Sequence, residues 1–236
     1  MSNILIVPDV HGRIFWKESV RRELDTIDKV IFLGDYLDPY PEEGITPKES
    51  IDILKEIIEL KKNNPDKVVL LIGNHDYHYM NYMISPCSRF DRRNSHEIEE
   101  IFKENLDLFQ LLYREDKYLF SHAGVIKEWM EKYCGCQDIE ELLKDEHKAY
   151  SSLWVVPMIR GGWEWFGSCL WNDVRDFSNE IPGTFQIFGH TQLRDPFFGP
   201  NPGVKEEFAC LDCRKCFTLD IEEQELKAYN YESRSL

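Results

Sequence analysis

Apolar residues along this chain gather in short unbroken runs, separated by stretches in which they recur every three or four positions. Ile4-Leu5-Ile6-Val7 and the segments 29–33 and 67–72 are rich in Val and Ile with no polar alternation, the pattern of strands buried on both faces. Between the second and third runs, Thr46-Pro47-Lys48-Glu49 joins a capping-box pattern to a proline at the first helical position. Ile51, Leu54, Ile57 and Ile58 follow at helical spacing, and Asn63-Asn64-Pro65 marks the stop. A second helix is predicted from about His96 to Tyr113, with Ile98, Ile101, Phe102, Phe109 and Leu112 on its buried face. Further strands are predicted at 117–120 and 184–188. Strands alternating with helices give an α/β fold class, and 1–236, without internal repeat or low-complexity segment, reads as a single domain.

Composition sets the surroundings. A 236-residue chain with 42% hydrophobic residues can bury a sizeable core. Its 28 Lys+Arg against 43 Asp+Glu leave a formal charge of -15, which argues against a grip on a nucleic-acid polymer, since that needs phosphate-neutralising cations. No stretch is apolar enough for a membrane span, and the N-terminus lacks a signal-peptide pattern. Seven cysteines, an odd number, read as reduced thiols. A cytoplasmic location is therefore expected.

The predicted strands stop on chemistry. The first runs into Asp9-Val10-His11, the second into Gly34-Asp35-Tyr36-Leu37-Asp38, the third into Gly73-Asn74-His75-Asp76, the fourth into Ser121-His122-Ala123-Gly124, and the later one into Gly189-His190-Thr191. In open α/β sheets ligands bind outside the carboxyl ends of the strands, so these exits are expected to share one crevice. Residues i and i+2 of an extended segment point the same way, which would let Asp9 and His11 reach one ion while Val10 turns into the core. Carboxylate, amide and imidazole donors suit borderline divalent ions such as manganese, iron or zinc. A central Asp35 could bridge two of them, as in two-metal hydrolases.

The ordered set DVH, GDYLD, GNHD, SHAG and GHT, spanning residue 9 to about 216, resembles the calcineurin-like metallophosphoesterase superfamily. It is nearest in pattern to the phosphoprotein-phosphatase branch and the related bacterial phosphatases and dinucleoside-polyphosphate hydrolases. The resemblance implies a β-sandwich of two mixed sheets flanked by helices, with a dimetal site at strand C-terminal ends. It implies one metal on Asp9, His11 and Asp35, and a second on Asp35, Asn74, His122 and His190. A metal-bridging hydroxide would attack phosphorus while His75, oriented by Asp38, protonates the leaving oxygen. The implied reaction is hydrolysis of a phosphorylated substrate, first a phosphate monoester of the phosphoserine, phosphothreonine or small-molecule type, and alternatively a dinucleoside polyphosphate, other phosphoanhydride or phosphodiester. Two divalent ions are the implied cofactors, manganese first.

Two departures stand out. Phosphoprotein phosphatases follow the second aspartate of GDxxD with Arg-Gly, and that arginine helps clamp phosphate; here Pro39-Tyr40 stands instead. Arg13, Arg160 and Arg175 are candidate substitutes, and Arg175, in Trp171-Asn172-Asp173-Val174-Arg175, is preferred. The last motif also lacks the His-x-His of many non-protein phosphoesterases, with Thr191-Gln192 after His190. His78 and His96 are given no role. The Trp-rich segment 154–171 reads as core or packed loop in preference to a substrate-facing cap. Cys210, Cys213 and Cys216 invite a zinc-module reading from a different functional class. Phe208 to Cys213 and Cys216 to Asp220 read better as strand, turn, strand, as in a hairpin of the relatives. An inactive metal-containing scaffold is the other rival, disfavoured because His75 and Asp38 are both present.

Overall fold

A computed structural model of the chain describes residues 3–80, 88–199 and 207–230. Eleven described strands form two sheets. The first contains β1 (Asn3–Val7), β2 (Lys29–Phe32), β3 (Val68–Leu71), β4 (Phe109–Gln110), β10 (Phe217–Asp220) and β11 (Glu225–Ala228), in the order β11-β10-β1-β2-β3-β4. The second contains β5 (Leu112–Glu115), β6 (Tyr118–Ser121), β7 (Phe185–Phe188), β8 (Phe197–Gly199) and β9 (Phe208–Cys210), in the order β5-β6-β7-β9-β8. Each sheet is mixed: β1, β2, β3 and β4 run parallel, as do β6, β7 and β9, and the outer partners are antiparallel.

The unbroken apolar runs are explained by burial on both faces. Ile4, Ile6, Ile31, Leu33, Val69 and Leu71 pack with Phe120, Ile187, Ala209 and Leu211 of the second sheet, which forms the layer between the sheets. The alternate residues Leu5, Val7, Val30, Phe32, Val68 and Leu70 belong to the larger core on the opposite face. There they meet Ile51, Leu54, Ile57 and Ile58 of a helix, Pro47–Asn63. That helix opens as its sequence dictates: Thr46 accepts from the Glu49 backbone N–H, the Glu49 carboxylate accepts from the Thr46 N–H, and Pro47 stands at its start. The molecule is thus an α/β sandwich of two mixed sheets flanked by helices.

Three expectations are corrected. The helix predicted to Tyr113 spans only Ser95–Glu104; a short 3-10 turn, Leu106–Leu108, leads into β4 and β5. Asn105 closes it, its side-chain amide donating to Ile101 O at 2.7 Å. The backbone N–H groups of Leu111 and Leu112 turn to the Glu146 carboxylate, at 2.8 and 2.9 Å, where the chain crosses from one sheet to the other. Phe109 and Leu112 are buried as strand residues. Second, β9 and β10 are not a hairpin, since β9 pairs with β7 and β8 whereas β10 pairs with β1 and β11. Third, the Trp-rich segment is divided. Phe166, Cys169 and Leu170 are buried and Trp154 packs against Tyr77 and Trp171, yet Trp163 and Trp165 stand in solvent.

The cysteines explain their own spacing. Cys210, Cys213 and Cys216 are buried and unpaired, and each belongs to a different hydrophobic cluster. They are strand and turn residues facing three layers, and among the described residues no metal-competent group includes them.

Candidate metal centre

Strands β1, β2, β3, β6 and β7 end side by side, and the loops leaving them build the site. Asp9 and His11 come together through a turn and not through the strand pleat, for β1 ends at Val7 and His11 has φ 44°. Val10 does enter the core. The Asp35 carbonyl oxygen fixes this turn, accepting from Val10 N at 3.0 Å and His11 N at 2.7 Å. Asp35 itself has φ 51°, Asp38 58° and His190 65°. Four site residues therefore sit in the left-handed region, each at a strain of about 1–3 kcal/mol that the surrounding structure must hold.

Asp76, to which the sequence assigned nothing, does much of that holding. Its carboxylate accepts from the backbone N–H of Gly73 at 2.8 Å, Asp35 at 2.8 Å and Tyr36 at 2.9 Å, tying the second and third exits together. Burial, and next the Asp35 carboxylate, push the Asp76 carboxyl well above its usual range, and the three backbone bonds oppose them. Gly73 must lack a side chain here, because a Cβ would lie 2.1 Å from Asp35 Oδ1.

Two groups of buried donors meet at Asp35: Asp9, His11 and Asp35, and Asp35, His122 and His190, each with ligand atoms within 4.8 Å of one another. His11 Nδ1 lies 2.7 Å from Leu37 O and His122 Nδ1 lies 2.9 Å from Leu33 O. A carbonyl only accepts, so both Nδ1 atoms carry a proton, and in the singly protonated ring each Nε2 presents a lone pair. His11 Nε2 faces Asp35 Oδ2 at 3.5 Å. His122 Nε2 lies 3.0 Å from Asn74 Oδ1, 3.0 Å from His190 Nδ1 and 3.5 Å from Asp35 Oδ1. In that tautomer the buried Nε2 lone pairs face carboxylate and amide oxygens, an arrangement that a cation satisfies. Burial pushes the His11 imidazole down to about 3, and it pushes His190 well below its usual value with Arg160 and His122 adding to it. Burial raises the Asp9 carboxyl to about 6. Burial also acts to raise Asp35, but the imidazoles of His122, His75, His11 and His190 outweigh it and leave the carboxyl depressed.

Beside this centre His75 Nδ1 is 2.7 Å from Asp38 Oδ2, so the ring donates to the carboxylate and turns Nε2 to the cavity. Asp38 is itself gripped. Tyr79 Oη donates to its Oδ1 at 2.5 Å, and His78 Nε2 stands 2.8 Å from its Oδ2. Burial acts to raise the Asp38 carboxyl, and the bonds from His75 and His78 bring it below the usual range. His78, left without a role by the sequence, is fully part of this cluster, whereas nothing places His96 near it. A helical i, i+3 relation to His75 was the available signal.

The cavity over these groups, about 370 Å³, is lined by His11, Asp35, Tyr40, Asn74, His75, Ser88, Arg89, Arg160, Trp171 and His190. The preferred arginines lie elsewhere. Arg175 is exposed over 64% of its side chain and pairs with Asp173, while Arg13 donates to Glu43 and to Asp9 O. Arg160 is the cation that reaches the cavity from the Trp-rich segment, donating to Thr191 Oγ1 at 2.9 Å and standing 3.0 Å from Asp173 Oδ2. Arg160 Nε, Trp171 Nε1 and His190 Nε2 are buried with no hydrogen-bond partner among the described residues.

The family model of calcineurin-like phosphoesterases matches residues 2–193. Compared with curated protein sequences, the chain has no significant match. Among solved structures it is similar to a cold-active protein tyrosine phosphatase, with TM-score 0.57 and 13% identity over 97% of this chain and 78% of that one. It is also similar to a protein serine/threonine phosphatase from Saccharomyces cerevisiae, with TM-score 0.58 and 13% identity over 97% of this chain and 80% of that one. At such identity the likeness is one of fold. Among the described residues, no helix is long and apolar enough to cross a membrane.

Proposed function

The chain belongs to the calcineurin-like phosphoesterase family of metal-dependent hydrolases, and on that premise we propose that it hydrolyses phosphate monoesters with the help of two divalent ions. Asp9, His11 and Asp35 would hold one, and Asp35, Asn74, His122 and His190 the other. The observation that carries the reading is the pair of imidazoles whose Nδ1–H groups are fixed by carbonyls, leaving Nε2 lone pairs opposed to Asp35 and Asn74 oxygens. Donors of this kind, with no thiolate among them, suit borderline divalent ions such as manganese, iron or zinc. Bound there, two ions would supply positive charge for the phosphoryl oxygens and lower the pKa of water at the site toward neutrality.

The protein's own groups do the rest. His75, held through Nδ1 by Asp38, presents Nε2 to the cavity and donates a proton to the leaving oxygen. Tyr79 and His78 keep the Asp38 carboxylate from rotating away. Arg160 Nε and Trp171 Nε1 are buried donors awaiting acceptors, which phosphoryl oxygens would provide. All six described cysteines are buried and unpaired, in keeping with a reducing compartment, the cytoplasm, as the site of action.

The test is leaving-group dependence in manganese-loaded protein. His75→Asn should slow an alkyl phosphate by about 10² to 10⁴-fold and a nitrophenyl phosphate far less, because only the alkoxide needs a proton. Asp38→Asn should show the same selectivity more weakly, and both variants should keep two metals. Equal slowing of both substrates with metal content intact would remove the general-acid role.

A further inference from the structure

On the phosphoesterase reading just given, we propose that Arg89, mounted on the face of Tyr40, is the phosphate-binding arginine beside His75, so that the cation missing after Asp38 is supplied from another part of the chain. The sequence places Tyr40 two residues beyond Asp38, across the site where related phosphatases have Arg-Gly. In the structure that ring has become a support. The Arg89 guanidinium carbon lies 3.8 Å from the Tyr40 ring centroid, nearer than those of Arg13 at 5.3 Å and Arg214 at 5.9 Å, and the ring meets His11 in a T-shaped contact, centroids 5.3 Å apart. The guanidinium is therefore seated on a cation–π contact directly beside a group of the metal centre.

Three further constraints hold Arg89 in place. Its Nε donates to Asp38 O at 2.9 Å, which ties it to the backbone of the residue that orients His75. Its backbone has φ 65°, a left-handed conformation unusual for arginine. Its Nη2 lies 3.4 Å from His75 Nε2, the atom that faces the leaving oxygen. Nε is used for positioning, Nη2 stands beside His75 Nε2, and Arg89 lines the same cavity as Asn74, His75 and Arg160.

Charge separates Arg89 from the other arginines of this region. Arg13 and Arg214 share Glu43, and Arg160 and Arg175 share Asp173. Among the described residues no carboxylate lies within ion-pair distance of Arg89, although acidic residues outnumber basic ones by 43 to 28 in the chain. A fixed, half-buried guanidinium with no carboxylate at ion-pair distance among the described residues is suited to receive an anion. Its fork can take non-bridging phosphoryl oxygens while His75 Nε2, released from the guanidinium, meets the leaving oxygen of the same phosphorus. A monoester offers one more non-bridging oxygen than a diester, so this cation favours monoesters. Arg89 would touch substrate; Tyr40 is a positioning residue.

Manganese-loaded Arg89→Ala, Arg89→Lys, Tyr40→Leu and Tyr40→Phe are compared for kcat/KM on an alkyl phosphate, inhibition by inorganic phosphate, and metal stoichiometry. Arg89→Ala should keep two ions, lose about 10² to 10³-fold in kcat/KM, weaken phosphate inhibition at least tenfold, and recover in part with added guanidinium. Arg89→Lys should recover little, since it keeps charge and loses the fork. Tyr40→Phe should stay near wild type, and Tyr40→Leu should resemble a weaker Arg89 variant. Unchanged phosphate inhibition in Arg89→Ala and Arg89→Lys, with both metals bound, would overturn the proposal. A wild-type protein that hydrolyses no phosphate ester would instead sink the phosphoesterase reading. In that event calorimetric binding of inorganic phosphate still decides the role of Arg89, supported by weaker binding in Arg89→Ala and overturned by equal binding.

Discussion

Gly189→Ala should remove one metal ion and leave the fold standing. A Cβ at this position would lie 2.0 Å from Asp9 Oδ1 and 3.2 Å from its Cγ. An ordinary carbon–oxygen contact is roughly 3.3 Å, so the carboxylate oxygen must retreat by roughly 1.3 Å. Asp9 has little room to do so, being buried and accepting the His190 backbone N–H at 3.0 and 3.1 Å. Losing that hydrogen bond to a charged group costs about 1.5–3 kcal/mol, and the overpacking adds about 1–3 kcal/mol. A domain of ordinary stability, about 5–15 kcal/mol, survives that sum at the low end and is visibly weakened throughout. The effect on metal is sharper, because Asp9 belongs to one donor group only. Manganese titration by calorimetry, with thermal denaturation of the metal-free protein alongside, should give one tightly bound ion in place of two and a lowered Tm. Gly44→Ala is the control: nothing lies within 4 Å of a Cβ there, its φ of 69° costs about 1 kcal/mol, and both ions should remain. Two ions bound to Gly189→Ala with wild-type affinity would mean that Asp9 is not where metal binds.

Two other outcomes follow from the geometry. Arg160→Ala should lower kcat/KM at least roughly tenfold by removing a buried donor from the cavity, while Arg175→Ala, whose side chain is 64% exposed, should stay within about twofold; steady-state kinetics on one phosphate monoester would show it, and the reverse order would put the clamp on Arg175. Replacing Cys210, Cys213 and Cys216 together by serine should leave metal content and activity unchanged and lower stability by about 1–3 kcal/mol for each hydroxyl left without a partner; loss of a tightly held zinc in elemental analysis would contradict the three separate packing environments.

Much of this architecture could be read from the chain because its signals are local. Unbroken Val and Ile runs announce strands covered on both faces, and the Thr46–Glu49 box fixes the start of a helix to the residue. The convergence of five strand exits followed from one topological rule. What escaped the sequence depends on partners distant along it. Apolar spacing carries straight through 98–112, so only the Glu146 carboxylate, more than thirty residues on, shows that Leu111 and Leu112 leave the helix. Arg89 was invisible because its link to the site runs through the ring of Tyr40, and Asp76 because its three acceptor contacts are to backbone, which carries no sequence signal. The sequence motif favoured Arg175 over Arg160; Asp173 binds both, and only packing decides that Arg160 is the one lining the cavity.

Whether two ions share Asp35 can be read from manganese-binding stoichiometry and electron paramagnetic resonance on the same samples. Wild-type protein should bind two ions with a spin-coupled spectrum, and Asp35→Asn should weaken both sites and lose the coupling, since Asp35 is the one residue common to both donor groups. A single ion at saturating manganese, or an Asp35→Asn variant that keeps a coupled pair, would mean that Asp35 does not join two metal sites.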